Sequence, residues 1–213
     1  MKRLAALVCA LGLSFATAAA AAPRDDALSA LDDRDDAVGR RDAVRTLMQA
    51  GTMADLPRLV QALRDPDHVV RVLAEQALWE IWSRSGNQEI SRLLERGIHA
   101  LTQGRWDDAI ADFTRIIERD PTFAEGWNKR ATAYFLKREF TKSLADCDEV
   151  ITRNPYHFGA LSGYGMIYIE LDQPGRALEY FERALAVNPN MDAARNTVET
   201  LRDILVRKRK DAI

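Results

Sequence analysis

The residues of this 213-residue chain with the widest chemical repertoire are three histidines and two cysteines. A thiol beside an imidazole would make a nucleophile, and paired histidines or cysteines at short spacing would hold a metal. Neither arrangement is present. His68, His99 and His157 are each isolated, and none joins a second histidine or cysteine at ligand spacing. Cys147 and His157 fall on unrelated helical faces, and Cys9 lies in an apolar leader. The acidic pairs Asp25-Asp26, Asp32-Asp33 and Asp35-Asp36 lack the glycine and spaced ligands of a calcium loop, and read as a solvated run that starts a helix. No strand is apparent for a glycine-rich phosphate loop to follow. The chain is therefore expected to be no enzyme, with no catalytic, cofactor-binding or metal-binding residue. The chemistry left is recognition of another polypeptide by side chains and exposed main chain.

The compartment follows from the first residues. Lys2 and Arg3 precede an apolar run from Leu4 to Phe15, then an alanine-rich stretch ending at Ala20, Ala21 and Ala22. This pattern predicts a secretory signal peptide over residues 1–22, cleaved near Ala22. An uncleaved anchor is the competing reading, because Leu4 to Ala22 approaches the ~20 residues that span a bilayer. The short apolar core and the small residues at the expected cleavage point favour removal. The leader looks bacterial, so the periplasm is the expected address, with full secretion second. Its removal leaves 28 basic against 32 acidic residues, a net charge of about −4, which disfavours nucleic acid as a partner. Cys147 then remains alone, so no internal disulfide can form.

The elements that would position a recognition surface come from a period. Pro121, Pro155 and Pro189 fall 34 residues apart. Counted from Ile90, Ala124 and Phe158, small residues recur at Gly97, Ala131 and Gly165, and again at Ala109, Ser143 and Ala177, where two helices must approach closely. Each proline ends a helix and opens the next turn. Leu161, Tyr164, Gly165, Tyr168, Ala177, Phe181, Ala184 and Pro189 in the third repeat resemble the tetratricopeptide repeat (TPR) signature, as do Leu93, Gly97, Ala109, Phe113 and Pro121 in the first. The second repeat carries Trp127, Ala131, Tyr134 and Pro155, but departs with Ser143 for alanine and Cys147 for phenylalanine. Cys147 thus aligns with Phe113 and Phe181, and reads as an unreactive core thiol. The resemblance implies three helical hairpins at about 90–123, 124–157 and 158–191, within a region spanning 87–191.

Upstream, residues 23–86 are helical but off this period. Leu56 to Leu63, a turn at Asp65-Pro66-Asp67, and a second helix from His68 through Trp82 resemble a HEAT repeat. That resemblance implies supporting roles for Asp65 and Arg71. Leu28 to Leu47 looks like a degenerate preceding unit, with Ala37, Val38, Ala43, Val44 and Leu47 at helical spacing and Gly51 as its stop. Residues 192–213 are expected to form a capping helix, with Ala193, Val198, Leu201, Ile204 and Leu205 facing inward, and a basic tail. Contact of that tail with an anionic membrane is the less favoured reading. The expected fold class is all-α: a helical-repeat solenoid of HEAT-like hairpin(s), three TPR hairpins and a C-terminal capping helix.

In the TPR family the first helix of each hairpin lines a concave groove. Carried onto this sequence, the candidate contacts are Leu94, Ile98, Glu125, Asn128, Lys129, Thr132, Gly159, Ser162, Gly163 and Met166. Leu94 and Ile98 stand where chaperone-binding relatives that grip an acidic C-terminal carboxylate carry lysine and asparagine, and Gly159 and Gly163 replace basic residues of that clamp. Such a clamp is disfavoured. The resemblance implies a scaffold or adaptor holding a peptide or helix of a protein partner. The alternative is a small-ligand-binding or enzyme-accessory protein with a pocket where the HEAT-like and TPR segments meet. Trp127, Phe158 and His157 are expected to pack or cap.

Overall fold

A computed structural model describes residues 23–211, and the expected leader at 1–22 lies outside the described residues. All regular structure among the described residues is helical, as expected for an all-α helical-repeat protein. The chain divides into two compact units, one ending at Ile81 and the other beginning at Trp82.

The first unit holds α1 (residues 23–30), α2 (Ala37–Ala50), a 3-10 turn (Met53–Asp55), α3 (Leu56–Ala62) and most of α4 (His68–Ser83). Carboxylates start and tie its helices. Asp36 Oδ1 accepts from the Gly39 amide at 2.8 Å, capping α2, and Asp67 Oδ1 accepts from the Val70 amide at 3.0 Å, near the start of α4. The Arg40 guanidinium is almost fully buried and reaches both oxygens of Asp65, at 2.7 and 3.0 Å, tying α2 to the turn before α4. Arg71 donates to the Asp65 carbonyl at 2.8 Å within that same turn. Arg40 also corrects the expected inward stripe of α2. The buried face is Arg40, Ala43, Val44 and Leu47, a helical i, i+3, i+4, i+7 set, and Val38 falls outside it at 62% exposure.

The second unit repeats one hairpin three times. The first helices are α5 (Gln88–Thr102), α7 (Ala124–Leu136) and α9 (Phe158–Glu170), and the second are α6 (Trp106–Arg119), α8 (Phe140–Arg153) and α10 (Pro174–Val187). Each second helix ends two residues before a proline, with one capping residue between them. There Asp120, Asn154 and Asn188 accept, through a side-chain oxygen, from the amide two residues on. That bond folds the chain back where the proline has no amide to continue the helix. The turn inside each hairpin needs a left-handed residue, with φ of 70° at Gly104, 61° at Arg138 and 51° at Asp172. Only the first repeat supplies the glycine that this conformation favours.

Packing inside the hairpins turns on one pair. A Cβ placed on Gly97 would stand 2.4 Å from the Phe113 ring, and one on Gly165 would stand 2.5 Å from the Phe181 ring. Glycine is needed wherever phenylalanine faces it. In the middle hairpin the first helix carries Ala131, and its facing residue is Cys147, whose smaller side chain leaves room for the extra methyl. A second pair recurs at the same register. Arg96 grips Asp112 through Nε at 2.6 Å and through a second bond, and Arg130 grips Asp146 through two bonds of 2.8 Å. The third hairpin replaces this ion pair with Tyr164 stacked on Tyr180, ring centroids 4.2 Å apart.

Finally, α11 (Asp192–Asp211) covers the open side of α10. Its inward residues are Ala194, Val198 and Leu201, while Ala193 and Ile204 face solvent, so the apolar stripe sits one residue later at its start than the sequence reading placed it.

Candidate functional site

Asn128 and Thr132 on α7, with Gly159, Ser162, Gly163 and Met166 on α9, converge on one cleft of about 260 Å³. These are adjacent turns of the first helices of hairpins two and three. Ala131, Phe135, Ser143, Cys147, Ala160 and Ile167 complete its walls, and no charged side chain lines it. The cleft opens against Ala131 and Cys147, the hairpin that lacks the phenylalanine ring. Ser143 Oγ, standing where the other hairpins have alanine, is spent on the Ala131 carbonyl at 2.7 Å. Ser162 Oγ is buried in the wall with no hydrogen-bond partner.

The remaining candidates sit elsewhere. Leu94 is buried in the core of the first hairpin, and Ile98 is 38% exposed on α5. Glu125 is 1% exposed and so has no surface to offer a ligand. It is instead the hub that orders its neighbours. Asn128 Nδ2 donates to Glu125 Oε2 at 3.1 Å, and Lys129 Nζ lies 2.9 Å from Oε1. His157 Nε2 lies 3.1 Å from Oε2, and His157 Nδ1 accepts from the Ala160 amide at 3.0 Å, capping α9. Because Nδ1 must accept there, the ring proton belongs on Nε2, which donates to the carboxylate. The imidazole lies on Trp82, with centroids 4.4 Å apart and planes 20° apart. Burial alone would push the Glu125 carboxyl up, but His157 and then Lys129 outweigh it and hold it down at about 2.

This hub was not foreseen from the sequence. Glu125, Asn128 and Lys129 stand at i, i+3 and i+4 on one helix, which is a readable signal, but His157 comes from the turn one repeat later. The aromatic residues are structural. Trp127 Nε1 donates to the Pro121 carbonyl at 3.0 Å, and the guanidiniums of Arg130 and Arg153 stand over its ring at 5.1 and 4.8 Å from the centroid. Phe158 is 1% exposed and packs on Trp82. Cys147 is 3% exposed, and burial pushes its thiol up to about 12, so it is neutral in ordinary conditions.

A larger cleft of about 480 Å³ lies in the first unit, among Arg34, Arg40, Arg58 and Arg64. Arg40 is bound to Asp65, and Arg58 to Asp32 at 2.7 Å, so these cations hold the fold together. Among the described residues no group of three or more histidine, cysteine, aspartate or glutamate side chains could hold a metal ion.

Two family models, each described as "Tetratricopeptide repeat", match residues 94–158 and 158–191. A TPR repeat-containing protein of Rhizobium etli is 32% identical over 146 residues, covering 68% of this chain and 71% of that protein. Human RNA polymerase II-associated protein 3 is 26% identical over 161 residues, covering 75% of this chain but 24% of its own length. Among solved structures, the first TPR of Spaghetti (RPAP3) bound to HSP90 peptide SRMEEVD superposes with a TM-score of 0.53 at 28% identity. That superposition covers 56% of this chain and 94% of the other.

Proposed function

Since this chain belongs to the tetratricopeptide repeat family, we propose that it is a non-catalytic scaffold or adaptor of the bacterial periplasm, holding a peptide or helix of a protein partner in its groove. The observation that carries this reading is the convergence of Asn128, Thr132, Gly159, Ser162, Gly163 and Met166 on one cleft. They are residues of two separate helices, and only repeat register relates them. The solved relative binding an acidic HSP90 peptide supports a polypeptide ligand in general. The side chains here argue against the same ligand, because Leu94, Ile98, Gly159 and Gly163 offer no cation to a carboxylate, and Lys129 is already neutralised by Glu125. The periplasmic address comes from the leader pattern. The HEAT-like segment is read as a second helical-repeat unit, in which Asp65, tied to Arg40, and Arg71 organise one turn.

The test is affinity capture from periplasmic extract with the wild type and the double substitution Asn128→Ala/Lys129→Glu. The wild type should retain a set of proteins that the variant loses. Equal recovery of the same proteins by both would remove the groove from consideration.

A further inference from the structure

We infer that the cleft between α7, α8 and α9 is a socket for one large uncharged side chain, leucine, methionine or phenylalanine, of an extended partner segment. This deepens the groove reading above and rests on it. Three observations lead to it. At about 260 Å³ the cleft falls below the ~300–1,000 Å³ of pockets that enclose a whole small ligand, so it suits a fragment anchored from outside. Its lining is uncharged, and Lys129, beside Asn128 in sequence, is paired with the buried Glu125, so a charged residue placed in the cleft would lose water and find no counter-charge. Polar atoms suited to a main chain border the apolar walls. Glu125 can only accept, so it fixes the Asn128 amide with Nδ2 inward and leaves Oδ1 to take an N–H from a ligand. Ser162 Oγ, buried and without a partner, can donate to a ligand carbonyl.

The socket has an identifiable origin. Hairpins one and three fill the matching space with Phe113 against Gly97 and Phe181 against Gly165, both rings buried. Hairpin two has Ala131 and Cys147, with fewer side-chain atoms, and it is there that the cleft opens. Exposed Met166 and Ile169 continue an apolar strip along α9, on which flanking residues of the segment can lie.

The experiment exploits that origin. Ala131→Gly/Cys147→Phe rebuilds the pair used by the other two hairpins, and so closes the socket from within while keeping a packing solution the protein already uses twice. Gly163→Leu closes it from the mouth, because a Cβ there meets only Cys147 Sγ, at 3.8 Å. Short randomised linear peptides displayed on phage are selected on the wild type, and the enriched peptides are synthesised and titrated. The enriched peptides should share one large uncharged side chain whose replacement by alanine weakens binding about ten- to a hundredfold. Both variants, shown to be folded by circular dichroism, should lose the same factor, and should bind the alanine peptide as the wild type does. Binding peptides without a shared apolar residue, or equal binding by wild type and a folded variant, would overturn the socket while leaving the groove standing. A library yielding no binder on the wild type would overturn the groove reading and the socket with it.

Discussion

Replacing Gly97 by alanine places a methyl 2.4 Å from Phe113 Cε1, with Cζ at 2.8 Å and Cδ1 at 3.0 Å. The ring cannot withdraw, because Phe113 is fully buried among Ile90, Leu93, Ala109 and Ile116. Overpacking of this kind costs about 1–3 kcal/mol. Against it, alanine in a helix interior is favoured over glycine by about 1 kcal/mol. The net expectation for Gly97→Ala is a loss of up to about 2 kcal/mol. In a Phe113→Cys background the sign should reverse. That substitution alone should cost about 3–5 kcal/mol as a cavity, but it removes the ring the methyl would strike, so Gly97→Ala should then stabilise by about 1 kcal/mol. The coupling between the two sites is therefore about 1–3 kcal/mol, above the ~0.5 kcal/mol within which independent sites add. Urea unfolding of the wild type, both single variants and the double variant, followed by far-ultraviolet circular dichroism, measures the cycle. Additive behaviour of the two substitutions would refute the argument that facing size, rather than a general demand for glycine, governs this register.

Other outcomes follow from the buried hub and the recurring pairs. Glu125→Ala should destabilise by about 3 kcal/mol, the low end for breaking a buried charged pair because Lys129 can turn to water, and Glu125→Gln by less, since it still accepts from His157. Comparing the midpoints in urea decides this. The folded Glu125 carboxyl is depressed below its ordinary 4.5 to about 2, so its contribution is fully present above about 4.5 and is lost as the pH falls toward 2. The stability gap between wild type and Glu125→Gln should therefore close over that window, and a gap that persists at its acid end contradicts the assignment. Asp146→Ala should cost about 2–4 kcal/mol by orphaning the partly buried Arg130, and Arg130→Ala/Asp146→Ala less than the sum of its parts, as a thermal-melt cycle would reveal. Cys147, with its thiol raised to about 12, should react with iodoacetamide far more slowly in the folded protein than in urea, which mass spectrometry would follow.

The three helical hairpins and the turn at each proline were legible because a fixed period repeats the same steric problem three times. Residues whose roles depend on a partner from another repeat were not. Glu125 shares a helical side with Asn128 and Lys129, which suggests a surface contact, yet His157, itself held by the Ala160 amide, bonds it in the interior. Leu94 satisfies the same helical geometry as Ile98 but is taken into the first hairpin's core. The Arg96–Asp112 and Arg130–Asp146 pairs do repeat in register, and laying the repeats over one another for ion pairs as well as small residues would have found them. The left-handed conformation at Arg138 and Asp172 carries no sequence mark of its own and is inherited from the register of Gly104.

The facing pair inside each hairpin also bears on how such repeats can diverge. For a lineage in which all three hairpins began with glycine opposite phenylalanine, the two substitutions that separate Ala131 and Cys147 from that ancestor are not interchangeable in time. Cysteine arriving first leaves a cavity costing about 3–5 kcal/mol that alanine then recovers in part, whereas alanine arriving first crowds the ring at a cost of at most about 2 kcal/mol. Once both are in place, a restored phenylalanine refills the cavity but meets the methyl in part of the space the ring needs. The opening that such a repeat leaves on the groove side becomes raw material that its neighbours, still filled by their own rings, do not have.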